Sequence, residues 1–208
     1  MKIIESKNNI AVLASTNATD MQPLIDAIKS GKLNAIIKIV ISNKIDAGAL
    51  ERAKNHGIKA LFIDPSGKTK EEYDSEISSI LDKENVKLVL LIGYMKLIGK
   101  SFIDKYKNKI MNIHPSLLPA FAGGMDLNVH EEVLARGCKY SGASLIFIDE
   151  GADTGPIIMQ KTVAVDYNDT PKSLKKKVQE AEADLLLRAI PLYFDGKINV
   201  IGNKVIIR

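Results

Sequence analysis

The run VKLVLLI at residues 86–92 decides the fold, because it is almost wholly apolar over the length of one strand. A strand of this kind is covered on both faces, as in the middle of a parallel sheet. Further apolar runs lie at residues 10–14 and 35–41, and amphipathic segments separate them. This alternation predicts an open, mainly parallel α/β sheet with helices on both faces, in a Rossmann-like arrangement.

The same patterns place the remaining elements. We predict helices over 20–30, 47–55, 70–81, 129–135 and 171–187, strands over 60–63, 110–113, 144–148 and 157–165, and a terminal hairpin of 198–200 with 205–207. Asp20 is expected to cap the first helix with its side chain. Because the 208 residues show no repeat, linker or low-complexity segment, we expect one domain over residues 1–208.

Composition narrows the class of protein. The net charge is +4, but the lysines are dispersed and aromatic residues make up only 5%, whereas nucleic-acid binders tend to cluster both. Cys138 is the single cysteine, which excludes an intrachain disulfide and a thiolate metal cluster. Residues 1–7 lack the apolar core of a signal peptide, and residues 88–94 are too short to span a membrane. We therefore expect a cytoplasmic protein without a nucleic-acid or membrane partner.

The segment Asn112-Ile113-His114-Pro115 closes a predicted strand and enters a loop that contains Pro119. Strand alternation points Asn112 and His114 to the same side, at the carboxyl end of the strand, where parallel sheets bind ligands. An amide can donate to a carbonyl oxygen, and an imidazole titrates near neutral pH. A lone histidine here could equally be part of a buried strand end. The asparagine before it and the proline-restrained loop after it favour a catalytic site.

A second polar segment, Asp149-Glu150-Gly151-Ala152-Asp153-Thr154-Gly155-Pro156, lies between two predicted strands. Its glycines and proline are typical of a turn, which is the alternative to a functional role. It carries three carboxylates, more than a turn requires. Because a carboxylate beside an imidazole orients the ring and raises its pKa, Asp153 is a candidate partner of His114.

Three segments together resemble the folate-dependent formyltransferase family: residues 112–119, residues 149–158 and Gly93-Tyr94-Met95-Lys96-Leu97. The resemblance extends from Ile10 to about Phe194. It implies an α/β formyltransferase fold and 10-formyltetrahydrofolate as co-substrate, without a metal. The likeness is greatest to the purine-pathway branch, which formylates the amine of glycinamide ribonucleotide. It leaves open whether such a protein is a monomer or a homodimer.

The resemblance also implies roles for single residues. Asn112 would stabilise the oxyanion of the tetrahedral intermediate, His114 would share that role or act as general acid, and Asp153 would keep the imidazole charged and handle the proton of the amine. The residues that match the family's folate contacts are Lys70, Met95, Lys96, Leu97, Ile98, Asp149, Glu150 and Gly151. Those that match its contacts to the amine substrate are Thr16, Asn17, Ala18, Thr19, Asp20 and Glu182, the last with a solvated helix charge as the alternative.

The sequence departs from the family mainly in its phosphate-binding loop. Thr16 and Ala18 replace the family's glycines, and Asp20 replaces its asparagine. Losing glycine restricts positive φ angles, and a carboxylate near a phosphate is unfavourable unless it points away. Ile146 stands where many members carry a histidine, and residues 122–126 differ too, with a plain turn expected there. Phosphate binding therefore stays open.

Other activities share the same motifs. Members that formylate initiator tRNA usually add a C-terminal domain, and members that hydrolyse formylfolate usually add an N-terminal one. We expect neither here, and Pro115 stands where the hydrolase tends to carry a second histidine. Formyl transfer to another amine and a non-catalytic folate or nucleotide binder are further alternatives. The intact set of Asn112, His114 and Asp153 argues against the binder.

Overall fold

The computed structural model describes residues 8–124 and 126–208, with the side chains of Asp126 and Leu127 left aside. Residues 1–7 lie outside the described residues, as does Met125 within the turn expected at 122–126. The elements are β1 (Asn9–Leu13), α1 (Met21–Lys29), β2 (Ile36–Ser42), α2 (Gly48–Asn55), β3 (Lys59–Phe62), α3 (Lys70–Lys83), β4 (Leu88–Leu91), α4 (Lys100–Lys105), β5 (Ile110–His114), α5 (Asp126–Ala135), β6 (Tyr140–Phe147), β7 (Ile157–Ala164), α6 (Pro171–Phe194), β8 (Ile198–Ile201) and β9 (Lys204–Ile207).

The chain forms two compact units, residues 1–110 and 111–208. In the first, the strand order is β3-β2-β1-β4 and every neighbouring pair is parallel. β4 is buried along its whole length, as its apolar run predicts for a strand covered on both faces. The carboxyl ends of β1, β2 and β4 therefore lie at one edge of this sheet, where the loops after Leu13, Ser42 and Leu91 begin.

In the second unit, β6 pairs antiparallel with both β5 and β7. Helix α6 packs on β6 and β7, and its buried face includes Leu174, Val178 and Leu185 at helical spacing. β8 and β9 form a separate antiparallel hairpin. The register sets His114 opposite Ser144 and Asn112 opposite Ile146.

The strands β1 to β7 and their helices confirm the predicted open, mainly parallel α/β fold. That residues 1–208 act as one domain stays a prediction. No helix within residues 8–124 and 126–208 has both the length and the apolar character needed to cross a membrane.

The structure corrects three details of the sequence-based assignment. Helix α4 was missed, because six residues are too few to display helical periodicity. Helix α6 continues through Pro191 to Phe194, beyond the predicted end at residue 187. Asp20 lies at the N-cap position of α1, but its side chain makes no capping hydrogen bond. Its backbone is already helical, at φ −68° and ψ −13°, whereas a capping residue normally has extended dihedrals that aim its oxygen at the next amides.

Candidate active site

Asp153 bridges the two side chains that close β5. Its Oδ1 accepts a hydrogen bond from Asn112 Nδ2 at 3.3 Å, and its Oδ2 lies 3.3 Å from His114 Nδ1. The backbone N–H of Gly123 donates to the same Oδ2 at 2.9 Å. The structure thus brings together the amide, the imidazole and the carboxylate that the sequence proposed as partners, although 41 residues separate Asn112 from Asp153.

The imidazole of His114 faces an acceptor on each side. Its Nε2 lies 3.2 Å from the carbonyl oxygen of Phe121, while Nδ1 faces the Asp153 carboxylate. Only the protonated ring could donate to both acceptors. Burial works the other way, since His114 is 3% exposed and a buried cation loses its hydration. Burial is the larger effect and lowers the pKa of His114, with Asp153 and the Phe121 carbonyl opposing it. The direction of this pKa shift runs against the expectation that Asp153 keeps the ring charged.

Two left-handed residues shape the backbone around this trio. Phe121 and Asp153 both have a φ of 57°, a conformation that costs an L-residue about 1–2 kcal/mol. Without it, neither the Phe121 carbonyl nor the Asp153 side chain would keep its present direction toward His114. Strain of this size persists where the surrounding contacts impose it.

A buried hydrogen-bond network fixes the loop that follows His114. Ser144, opposite His114 in the β5–β6 register, donates its hydroxyl to the Ser116 carbonyl at 2.7 Å and accepts from Leu118 N–H at 2.9 Å. Gln160 Nε2 donates to Ser144 Oγ at 2.8 Å and to the Leu118 carbonyl at 3.0 Å. The rigidity predicted from the prolines thus also depends on two polar side chains that the sequence did not single out.

The segment at residues 149–156 is a turn, and it also supplies a carboxylate to His114, so both of the predicted alternatives apply. Asp149 Oδ1 accepts from Gly151 N–H at 3.0 Å and from Thr154 Oγ1 at 2.7 Å, so this carboxylate stabilises the turn. Gly151 and Glu150 are exposed. A side chain at position 151 would clash with the Thr154 hydroxyl, only 2.0 Å from an added Cβ. Asp149 therefore stabilises the turn, whereas Asp153 contacts Asn112 and His114.

Two predicted folate residues of the first unit, Lys70 and Lys96, lie near the buried carboxylate of Asp74. Lys70 and Lys96 both act electrostatically on Asp74, lowering its pKa, while burial has the larger effect and raises it. Lys96 Nζ also lies 5.0 Å from the ring centroid of Tyr73, a cation–π distance. Met95 and Leu97 are 40% and 73% exposed. Lys70 and Lys96 thus place two cations near one buried carboxylate, and Met95 and Leu97, which flank Lys96 in the chain, leave apolar surface exposed.

The predicted substrate loop, Thr16–Asp20, keeps a left-handed residue although it contains no glycine. Ala18 has a φ of 41°, and its N–H lies 3.4 Å from Thr16 Oγ1. The Thr16 side chain packs against Gly93, where an added Cβ would lie 2.3 Å from the hydroxyl oxygen. Arg52, which sequence reasoning missed, donates from Nε to the Asn17 carbonyl at 3.4 Å.

Three other singled-out residues have informative surroundings. Glu182 is 5% exposed, so the alternative of a solvated helix charge is wrong. Asp20 is also buried, at 7%. Ile146, fully buried, lies directly opposite Asn112 and replaces a polar neighbour of the trio with an apolar one. In the described part of the chain, no cluster of three or more His, Cys, Asp or Glu side chains is arranged to hold a metal ion.

Comparison with known proteins places this geometry in a family. Residues 8–190 match the family model described as formyl transferase. The phosphoribosylglycinamide formyltransferase of Escherichia coli is 34% identical over 94% of this chain and 91% of its own length. The trifunctional purine biosynthetic protein adenosine-3 of Gallus gallus is 36% identical over 96% of this chain. The chain spans about a fifth (20%) of that longer relative.

Solved structures agree with the sequence comparison. The crystal structure of glycinamide ribonucleotide transformylase 1 from Symbiobacterium toebii has a TM-score of 0.90 at 35% identity, covering 96% of this chain and 93% of that one. A formyltetrahydrofolate deformylase from Pseudomonas syringae has a TM-score of 0.87 at 26% identity, covering 98% of this chain and 66% of its own. The chain therefore belongs to the formyl transferase family.

Proposed function

We propose that the protein transfers the formyl group of 10-formyltetrahydrofolate to the amine of glycinamide ribonucleotide, a step of purine biosynthesis. The observation that carries the proposal is the bridge of Asp153 between Asn112 and His114. Formyl transfer needs a donor for an oxyanion and an acceptor for an amine proton, and this trio supplies both. Relatives with similar sequences include phosphoribosylglycinamide formyltransferases.

The reaction forms one bond and breaks another. The amine nitrogen of the acceptor attacks the formyl carbon, and the carbonyl oxygen becomes an oxyanion in a tetrahedral intermediate. The carbon–N10 bond of the folate then breaks and the carbonyl re-forms. The attacking nitrogen loses a proton, and N10 of the leaving tetrahydrofolate gains one. The protein must therefore stabilise one negative charge and move one proton.

Each member of the trio has a role in this scheme. Asn112, whose amide carries two N–H groups, donates one hydrogen to the oxyanion while the other faces Asp153. His114 shares that role or passes the proton as general acid, with Nδ1 facing Asp153 and Nε2 exchanging the Phe121 carbonyl for the reacting group. Asp153, with its side chain 16% exposed, accepts the proton of the attacking amine directly or through a water. The reaction as written needs no covalent enzyme intermediate.

Substrate contacts are proposed for both units. In the first, Lys70 and residues 95–98 bind the folate, and the substrate loop binds the phosphate of the amine substrate with its backbone N–H groups and the Thr19 hydroxyl. In the second, Glu182 receives the substrate amine, and residues 149–151 contact the pterin. We further propose a cytoplasmic protein, monomeric or homodimeric, that acts on small molecules and engages neither nucleic acid nor membrane.

Incubation with 10-formyltetrahydrofolate, with and without glycinamide ribonucleotide, tests the proposal. Folate deformylation followed spectrophotometrically should require the acceptor, and the formylated amine should accumulate in equal amount. A second candidate, hydrolysis of the formylfolate, is favoured by the structural likeness to the Pseudomonas syringae deformylase. Deformylation without acceptor, with release of formate, would replace the transferase with that hydrolase.

A further inference from the structure

Residues Met95–Ile98, here called the folate segment, are held at both ends by side chains from elsewhere in the first unit. The Met95 N–H donates to Ser15 Oγ at 2.8 Å. Just beyond the other end, the Gly99 N–H donates to Asp74 Oδ2 at 2.6 Å. Met95 and Leu97 are 40% and 73% exposed, so these two side chains contribute little packing to the shape of the segment.

Ser15, which follows β1, forms hydrogen bonds to residues that follow β2 and β4, through its hydroxyl and its backbone N–H. Besides accepting from Met95, its hydroxyl donates to Asn43 Oδ1 at 2.6 Å, and its backbone N–H donates to the Gly93 carbonyl at 2.9 Å. Its hydroxyl therefore both donates and accepts, which fixes its orientation.

Asp74 secures the other end from helix α3. It is 3% exposed, a rare burial for a carboxylate, which needs compensating partners. Gly99 allows the close approach, because a Cβ at that position would lie 2.7 Å from Asp74 Oδ2. Lys70 and Lys96, both proposed folate contacts, act electrostatically on the same carboxylate. Asp74 thus meets the backbone of the folate segment and influences two cations beside it.

We propose that Ser15 and Asp74 are positioning residues that hold the folate segment in its binding shape, an inference that rests on the proposed function. A segment ordered before binding loses less conformational freedom when the ligand arrives, so its affinity is higher. Asp74 acts on the folate segment alone. Ser15 acts on the same segment from its other end, through the hydrogen bond from the Met95 N–H to its hydroxyl.

Binding of tetrahydrofolate, the reaction product, tests Asp74 without turnover. Asp74→Leu, similar in size but without an acceptor, should raise the Kd for tetrahydrofolate about tenfold, because the Gly99 N–H loses its buried hydrogen-bond partner. Asp74→Asn retains an acceptor oxygen and should stay close to wild type. Asp104→Leu removes an exposed carboxylate of α4 and is the control. The Kd for glycinamide ribonucleotide should not change in any of them.

Ser15→Ala should weaken tetrahydrofolate binding several-fold, since the hydroxyl accepts the Met95 N–H, and Ser15→Thr should restore much of the loss. Ser75→Ala, at an exposed position of α3, is the matched control. Unchanged tetrahydrofolate affinity in folded Asp74→Leu would overturn the inference, as would an equal loss of both ligands in that variant. A wild-type protein that fails to bind tetrahydrofolate would instead overturn the proposed function.

Amide hydrogen exchange of the wild-type protein gives a test that needs no folded variant. The Met95 and Gly99 amides should exchange more slowly than the intervening amides of Lys96 and Leu97, because each donates to a side-chain oxygen. Exchange of Met95 and Gly99 as fast as that of Leu97 would show that the two hydrogen bonds do not hold the segment.

Discussion

The proposed catalytic trio and the proposed substrate loop are built on opposite principles. The trio consists of side-chain groups, Asn112, His114 and Asp153, that meet within hydrogen-bonding distance. The substrate loop, Thr16–Asp20, presents backbone, and it keeps a left-handed residue at Ala18 although glycine is absent. A site made of functional groups is visible in a sequence as residue identities. A site made of backbone groups can be recognised in a sequence only by residues, such as glycine, that its conformation usually requires. Here the loop keeps that conformation although those glycines are replaced.

The largest effect is expected at the side-chain site. Asp153→Asn keeps the size of the side chain but removes the proton acceptor, so kcat should fall about 10²–10⁴-fold, the range typical for a general acid or base. Steady-state formyl transfer measures this, and Asp195→Asn, which changes an exposed carboxylate paired with Lys197, is the control. Turnover near that of the wild type would remove Asp153 from the mechanism.

Glu182 tests the same comparison between side-chain and backbone sites, because its side chain is a proposed contact of the amine substrate. Glu182→Gln removes the charge that would receive the amine, so the KM for glycinamide ribonucleotide should rise about tenfold, in line with a charged hydrogen bond. The KM for 10-formyltetrahydrofolate should change little. Glu180→Gln, exposed on the same helix, is the matched control. A similar rise in both KM values would mean that Glu182 supports the structure of α6 and does not contact the amine.

Most of the fold could be predicted from the sequence, because apolar residues recur along most helices and strands with the spacing typical of each. The buried run at β4 and the amphipathic face of α3 are local signals that tertiary packing leaves intact. The missed α4 has six residues, too few to show a period. The extension of α6 beyond residue 187 includes Pro191. Because proline normally ends or kinks a helix, the sequence predicts an earlier end than the structure shows.

The site was predictable only where side chains carry the chemistry. Strand alternation correctly places Asn112 and His114 on one side, and both meet Asp153. The direction of the pKa shift at His114 was not predictable, because it depends on burial that becomes known only from the fold. Backbone contributions, such as the Gly123 N–H at Asp153, leave no signature in residue identity.

A smaller effect is expected at the backbone site. Ala18→Gly relieves the left-handed strain at φ 41° while making the unfolded chain more flexible, so the net gain in unfolding free energy should be about 0.5–1 kcal/mol. Ala53→Gly, within helix α2, should instead lose about 1 kcal/mol or more. Urea unfolding of both variants measures the difference. A loss of stability in Ala18→Gly would mean that the left-handed conformation is not under strain.

The pH dependence of stability provides the finest distinction, because it reports the charge of the trio's imidazole. The folded-state pKa of His114 lies below its ordinary value of 6.5, chiefly through burial. The unfolded chain therefore binds the proton more readily than the folded protein between the lowered pKa and 6.5. By linkage, the stability that His114 contributes is fully present above pH 6.5 and is lost as the pH falls through this window.

The measurable quantity is the unfolding free energy of the wild type minus that of His114→Gln, followed from pH 7.5 down to pH 5. This difference should decline in acid, with a slope that stays below the limit of about 1.4 kcal/mol per pH unit for one proton. His56→Gln is the control for a histidine outside the trio. A difference that grows in acid would mean that Asp153 and the Phe121 carbonyl outweigh burial, so that the ring is an imidazolium in the folded protein. The trio would then stabilise the oxyanion with a full positive charge, and Asp153 would serve to hold that charge in place.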